Sequence, residues 1–358
     1  MRCCDEGGGA QDGPMQASGS LPLHAGASRE RSWRGTVLHA RRVFERVLPM
    51  NPIHYWRYKL RSAQVLNAVS TRTEHEGALV RVGDGYGCLH PWTELGDAPL
   101  EAQLRALAVG ERDFSPLIVG ALECARIDGE AREQGVSLFQ SPVPESHWLV
   151  RDGDDPGYAR SDGFSLAKIK GTPDFPKVTR AIEAWSGAGL RVRLDFNESL
   201  AKGGFLAFWQ GLAEPLRAAI DVVEDPEIWS EDGWMALREA GLPIAVDRDH
   251  TSRLRDGDVL VYKPAHYGFA CSRETRYYLT SYMDHAIGQL WAAAFASIVS
   301  AGGTNAQLLP CGLLTHRCFE NDPFFERLRC DGPRLVPPGG TGLGFDDLLA
   351  KLPWKRLT

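Results

Sequence analysis

The sequence predicts an α/β protein in which a small α+β domain precedes a closed barrel of parallel strands. Three observations carry this. From residue 147 onward, short apolar runs alternate with helix-like stretches, which is the pattern of repeated strand–helix–strand units. Five of these runs end in an acid or a base: AKIK (Lys168 and Lys170), LDFN (Asp195), VEDP (Glu224), AVDRD (Asp247) and VYKPA (Lys263). Before them lies a different pattern of alternating polar and apolar residues, typical of an antiparallel sheet.

Residues 1–49 are set apart by a glycine-rich stretch, CCDEGGGAQDG, and an arginine-rich one, SRERSWRGTVLHARRVFERV. They predict an extension without a packed core, carrying at most a short basic helix over 36–48. Asp5, Glu6, Asp12 and Glu30 argue against a targeting peptide, and a well-patterned domain beginning near Met50 makes that methionine a candidate translation start. The α+β domain is expected over residues 50–145. IHYWRYKLR and ALVRVGDGYGCLHPW form its sheet, with Gly83, Gly85 and Gly87 at tight backbone positions, and helices follow over 100–107 and 116–135. GDGYG lacks the Lys and Ser/Thr of a phosphate loop.

The barrel, residues 146–358, begins at HWLV (147–150) and continues through FSLAKIK, LRVRLDF, AAIDVVED, LPIAVD, VLVYKPA and RYYLTSY. Helices are expected near 174–187, 199–213, 231–240 and 284–300. About 210 residues remain from 147 to the end, close to the lower limit of ~200 for such barrels, so some helices must be short. Only about 16 positions separate Asp247 from Lys263, which leaves room for little more than a turn.

The formal charge of −6 argues against nucleic acid or an anionic membrane as partner and favours a small metabolite. The eight cysteines contain no CxxC pair, as expected of reduced thiols in a cytoplasmic protein. No apolar run reaches the ~18 residues of a membrane span.

The chemistry follows from strand geometry. Residues two apart on a strand face the same way, so Lys168 and Lys170 both enter the barrel while Ile169 packs outward. Two buried ammonium groups require nearby anions, and Asp195, Glu224 and Asp247 on the next three strand ends supply them. Three converging carboxylates in turn call for a cation, and an all-oxygen set suits Mg²⁺, with Mn²⁺ as alternative, better than Zn²⁺. Each fragment alone has an ordinary reading as a solvated edge, a turn or a helix cap. Their order along successive strands is what points to a site.

In that order the chain resembles the enolase superfamily, specifically its muconate-lactonising subgroup and, within it, the o-succinylbenzoate synthases of menaquinone biosynthesis. The resemblance covers roughly residues 52–345 and implies a capping domain followed by a modified (β/α)₇β barrel. It implies that Lys168 and Lys170 are the KxK pair, that Asp195, Glu224 and Asp247 are metal ligands, and that Lys263 is the lysine across the site. TSYMD stands where the family has SSxE, which places Ser281 and Asp284 at those positions, and these join Asn197 as candidate substrate contacts. GYGCLHPW resembles GxGExxP with Cys88 in place of the acid, GTGLGFD resembles the family's last turn, and Tyr282 and His285 replace small polar residues. The loops at 66–76 and 93–99 are expected to close over substrate.

The implied mechanism has Lys170 remove a proton beside the substrate carboxylate while the metal and Lys263 stabilise the enediolate. Elimination of hydroxide on the same face then requires only one base. Racemases, epimerases and cycloisomerases of the subgroup are the alternatives, with N-acylamino-acid racemisation as a possible side activity of the same pocket. Dipeptide epimerases usually carry a DxD that CGLLTHRCFENDPF lacks. A barrel hydrolase would require an HxH where the sequence has only His147. A catalytically inert binding protein would not require all six acids and bases.

Overall fold

The computed structural model describes residues 52–358 apart from 68, 112, 268–275 and 303–306. The expectations for residues 1–49, including the candidate start at Met50, therefore lie outside the described residues.

The first strands, β1 (Ile53–Arg61), β2 (Glu74–Val82) and β3 (Gly85–Leu89), form an antiparallel meander. Its glycines have two different reasons. Gly83 has a φ of 60° in the two-residue turn between β2 and β3. Gly85 and Gly87 admit the following helices: after α1 (Leu100–Val109) comes α2 (Pro116–Glu133), and a Cβ on Gly85 or Gly87 would lie 1.8 or 2.0 Å from the carbonyl oxygens of Ala125 or Ala121. GDGYG is thus a hairpin and a helix-packing surface. Ser115 caps α2, its side chain accepting the Ile118 amide.

The barrel strands follow: β4 (Trp148–Leu149), β5 (Leu166–Lys170), β6 (Arg191–Asp195), β7 (Ile220–Glu224), β8 (Ile244–Val246), β9 (Val259–Tyr262) and β10 (Tyr277–Leu279). All pair in parallel and in chain order. The ring is closed by an eighth, irregular strand. Leu308 bridges Tyr277 and Gly312 bridges Thr280 on one side, while Cys311 bridges Ser146 on the other. The Gly312 amide donates to Leu279, and the His147 amide donates to Cys311.

Between the strands lie α3 (Pro156–Ser161), α4 (Phe175–Gly187), α5 (Gly204–Gly211), α6 (Glu214–Ala219), α7 (Glu231–Glu239), α8 (His250–Arg253) and α9 (Pro264–Tyr267). The single helix expected over 199–213 begins only at Gly204. Glu227 draws the chain into a turn there, accepting the Gly203 and Phe205 amides at 2.8 and 3.0 Å, and Pro215 opens the separate α6. The short connection after Asp247 is the four-residue α8.

The alanine-rich α10 (Ala286–Ala301) is buried almost all round because it packs on β3 as well as on β10. It also marks the junction of the small sheet with the barrel. After the hairpin β11 (Arg329–Asp331) and β12 (Arg334–Val336), α11 (Asp346–Lys351) leads to β13 (Lys355–Arg356), which pairs antiparallel with β1. The terminal GTGLGFD turn is tied to the same domain: buried Asp128 on α2 accepts both the Leu343 and Tyr86 amides, at 2.6 and 2.9 Å. The tail of the chain thus completes the small sheet. No described helix is long and apolar enough to cross a membrane, and the described cysteines 88, 124, 311, 318 and 330 are free thiols.

Candidate active site

The barrel interior explains why so many charges survive burial. One level inside the ring, Arg193 is fully buried, donating to Asp221 at 2.8 Å and to the Pro310 carbonyl at 2.7 Å. Its guanidinium lies 3.8 Å from the centre of the Tyr278 ring. The Tyr278 hydroxyl in turn donates to Glu224 at 2.6 Å. His147, facing Arg193, is held well below the usual histidine range by burial and then by that positive charge.

Above this layer the five strand ends meet. Lys168 Nζ reaches Glu224 Oε2 at 2.6 Å and Asp195 Oδ2 at 2.9 Å. Lys170 Nζ reaches Asp195 Oδ2 at 2.6 Å and Asn197 Oδ1 at 3.0 Å. Lys263 Nζ reaches Asp247 Oδ2 at 2.5 Å. Burial opposes the charge on Lys168, but Asp195 and Glu224 overcome it and hold the ammonium above the usual lysine range. Burial likewise opposes ionisation of Asp195 and Asp247, and the lysines beside them keep both below the ordinary carboxylate range. For the neighbouring Asp225, burial followed by repulsion from Asp247 and Glu224 outweighs the more distant Arg248, 4.0 Å away, and pushes the carboxyl well above that range. In an eight-stranded ring β5 and β9 are diametrically placed, so Lys170 and Lys263 approach from opposite sides.

Lys168, Lys170, Asp195, Asn197, Glu224 and Lys263 line one pocket, together with Asn67, Trp92 and Leu95 from the small domain and Ser281, Tyr282 and Met283 after β10. It has about 70 Å³ of free space and adjoins a cleft of about 360 Å³, with which it shares Leu149, Lys170 and Met283. Asn197 and Met283, with φ values of 47° and 50°, hold strained left-handed conformations at the rim.

Lys168, Lys170, Asp195, Glu224, Lys263, Asn197 and Ser281 all line this pocket, and Asp247 joins them through Lys263. Ser281 Oγ bonds Thr315 Oγ1 at 2.5 Å. Asp284 does not belong there. The left-handed Met283 turns the chain, and Asp284 is buried at the head of α10 among Tyr58 and Cys88 of the small sheet, with Oδ1 unpartnered. Its expected contact with substrate is corrected to a place at the domain junction. Tyr278, Thr315 and Trp92 were missed as site residues. For Tyr278 a signal existed, since it has the inward register of RYYLTSY.

Among the described residues no three acidic, histidine or cysteine side chains form a ready-made metal cluster. Asp195, Glu224 and Asp247 each spend an oxygen on a lysine instead. The donor set nevertheless fits a hard divalent cation. Asp195 and Glu224 are register partners on adjacent strands, Asp247 lies two residues beyond Glu224's partner Ala245, and buried Asp247 Oδ1 has no hydrogen-bond partner.

A (β/α)₇β barrel that gathers lysines and carboxylates at its strand ends beneath an α+β cap is the architecture of the enolase superfamily. The solved structures agree. A dipeptide epimerase from Enterococcus faecalis, complexed with Mg and a dipeptide, superposes with a TM-score of 0.65 at 17% identity, over 82% of this chain and 98% of its own. A muconate cycloisomerase variant gives 0.63 at 18% identity, over 84% and 98%. Residues 53–131 match the model of the O-succinylbenzoate synthase N-terminal domain. The o-succinylbenzoate synthase of Bdellovibrio bacteriovorus is 32% identical over 331 residues, 86% of this chain and 99% of that protein. The chain belongs to the o-succinylbenzoate synthase family, a family of lyases.

Proposed function

We propose that the protein dehydrates 2-succinyl-6-hydroxy-2,4-cyclohexadiene-1-carboxylate to o-succinylbenzoate, with Lys170 as the base, as a cytoplasmic step of menaquinone biosynthesis. The observation that supports this most directly, beside family membership, is the placement of Lys170 in the pocket facing Lys263 across the barrel.

Asp195, Glu224 and Asp247 hold Mg²⁺ in this reading, with Mn²⁺ as alternative; when bound, the cation supplies positive charge to the substrate carboxylate as its α-carbon loses a proton. Lys170, in its amine form, takes that proton. Lys263 stays an ammonium on the opposite side and offsets the negative charge that develops on the carboxylate oxygens. Lys168, held between Asp195 and Glu224, fixes both carboxylates and keeps the region beside Lys170 positive. Elimination then breaks the C–O bond on the same face. The hydroxyl leaves as hydroxide, Lys170 returns its proton to it, and the products are water and the aromatic ring. Asn197, 3.0 Å from Lys170 Nζ, aims the base, and Ser281 offers its hydroxyl to the substrate.

The test is an ultraviolet assay of aromatisation by the full chain with Mg²⁺ or with EDTA, beside Lys170→Ala. Metal-dependent conversion is expected, with a loss of about a hundredfold to ten-thousandfold in the variant, as befits removal of a general base. No conversion by the folded, metal-supplied protein would overturn the assignment. Racemisation of N-acylamino acids in its place would select the two-base chemistry open to Lys170 and Lys263.

A further inference from the structure

One side chain ties the small domain to the cation across the site. Tyr282 is buried, lines the pocket and is fastened at both ends to the loop that follows β3. Its hydroxyl donates to Asp97 Oδ2 at 2.9 Å, and the same oxygen accepts the Trp92 amide at 2.8 Å. Its backbone carbonyl accepts Trp92 Nε1 at 2.8 Å. Between these anchors the ring stands 5.6 Å from Lys263 Nζ, within range of a cation–π contact. The opposite partner of that ammonium is Asp247 at 2.5 Å. His266 packs beside the Tyr282 ring, 4.4 Å between centroids, and its Nε2 lies 3.3 Å from Asp97 Oδ1.

We infer that Tyr282 is a positioning residue that couples docking of the 92–97 loop to the alignment of Lys263. The inference rests on the reading of Lys263 as the cation that stabilises the enediolate. The loop contributes Trp92 and Leu95 to the pocket. When it docks, Asp97 fixes the phenol, and the phenol face fixes the lysine between itself and Asp247. Trp92 and Leu95 thus complete a wall of the pocket that also holds Lys263. The loop carrying Trp92 and Leu95 is held to the barrel by the Tyr282–Asp97 and Trp92–Tyr282 hydrogen bonds. Loop closure over substrate and completion of the charge constellation thus become one event.

Two variants separate the two halves of this coupling. Tyr282→Phe keeps the ring over Lys263 and removes the bond to Asp97; Tyr282→Leu removes both. Steady-state kinetics of the full chain with Mg²⁺ should show KM raised at least threefold in Tyr282→Phe with kcat within twofold of wild type. Tyr282→Leu should lose at least fivefold in kcat as well. Hydrogen–deuterium exchange of the 92–97 amides should quicken in both variants while the strands β5–β7 stay protected, which reports loop docking whatever the activity. Equal kcat losses in both variants, or none in either, would overturn the positioning of Lys263 by the ring. Unchanged exchange at 92–97 in folded Tyr282→Phe would overturn the latch. A wild-type protein that turned over no cyclohexadiene would refute the proposed function, and the exchange experiment would still decide the latch.

Discussion

Replacing Asp284 by Asn should make the protein more stable than wild type at neutral pH and progressively less so toward acid. Asp284 is fully buried at the head of α10, Oδ1 has no hydrogen-bond partner, and His285 beside it is kept neutral by burial, its pKa lowered to about 3. Burial raises the Asp284 carboxyl to about 7, opposed only by its own and the Tyr282 backbone amides. An unfolded aspartate titrates near ~4. The folded state therefore holds a proton that the unfolded state releases between about pH 4 and 7. This favours folding below that window and is lost as pH rises through it. About three decades of proton affinity correspond to roughly 4 kcal/mol at the alkaline plateau. Asn keeps the shape and cannot ionise. In urea titrations of wild type and Asp284→Asn, the stability difference should thus move by about 3 kcal/mol in favour of the variant between pH 5 and 8, because roughly two of those decades lie in that interval. The histidines and surface carboxylates are common to both proteins and cancel in the difference. A difference constant to within ~0.5 kcal/mol across that range would show that Asp284 is not the buried acid described here.

The metal reading predicts that Mg²⁺ raises the melting temperature, by the equivalent of about 2.7 kcal/mol at a hundredfold excess over Kd. Asp247→Asn should abolish the shift, and an unchanged shift in that variant would remove Asp247 from the ligand set. Deleting residues 353–358 removes β13, the Leu357 amide bond to Ile53 at 2.7 Å and the Trp354–Tyr86 ring contact at 5.4 Å. The loss should be several kcal/mol, read as a lower melting temperature and faster amide exchange along β1. Wild-type protection in β1 would refute it.

Much of the site was legible because its signals are local. Period-two alternation placed Lys168 and Lys170 on one face, and apolar runs ending in Asp195, Glu224 and Asp247 gave neighbouring strand ends. What stayed hidden depends on tertiary context. The closing strand, LLPCG, has Pro310 in its middle and is held by single bridges, so it shows no strand pattern. The inward or outward sense of Asp284 hinges on the φ of 50° at Met283, which no periodicity encodes. The partnership of Tyr282 with Asp97 spans 185 positions, and Gly85 and Gly87 are explained only once α2 lies against them.

The pairing of β13 with β1 has a consequence for synthesis. The small sheet receives one of its edge strands from residues 355–356, which are translated after every barrel strand. Translation thus orders assembly: a barrel with exposed acids and lysines can form first, and the cap over it can be completed only afterwards. A nascent chain stalled before residue 355 carries the whole charged constellation under an unfinished roof, so premature termination near the end would leave its mark on the cap rather than on the barrel.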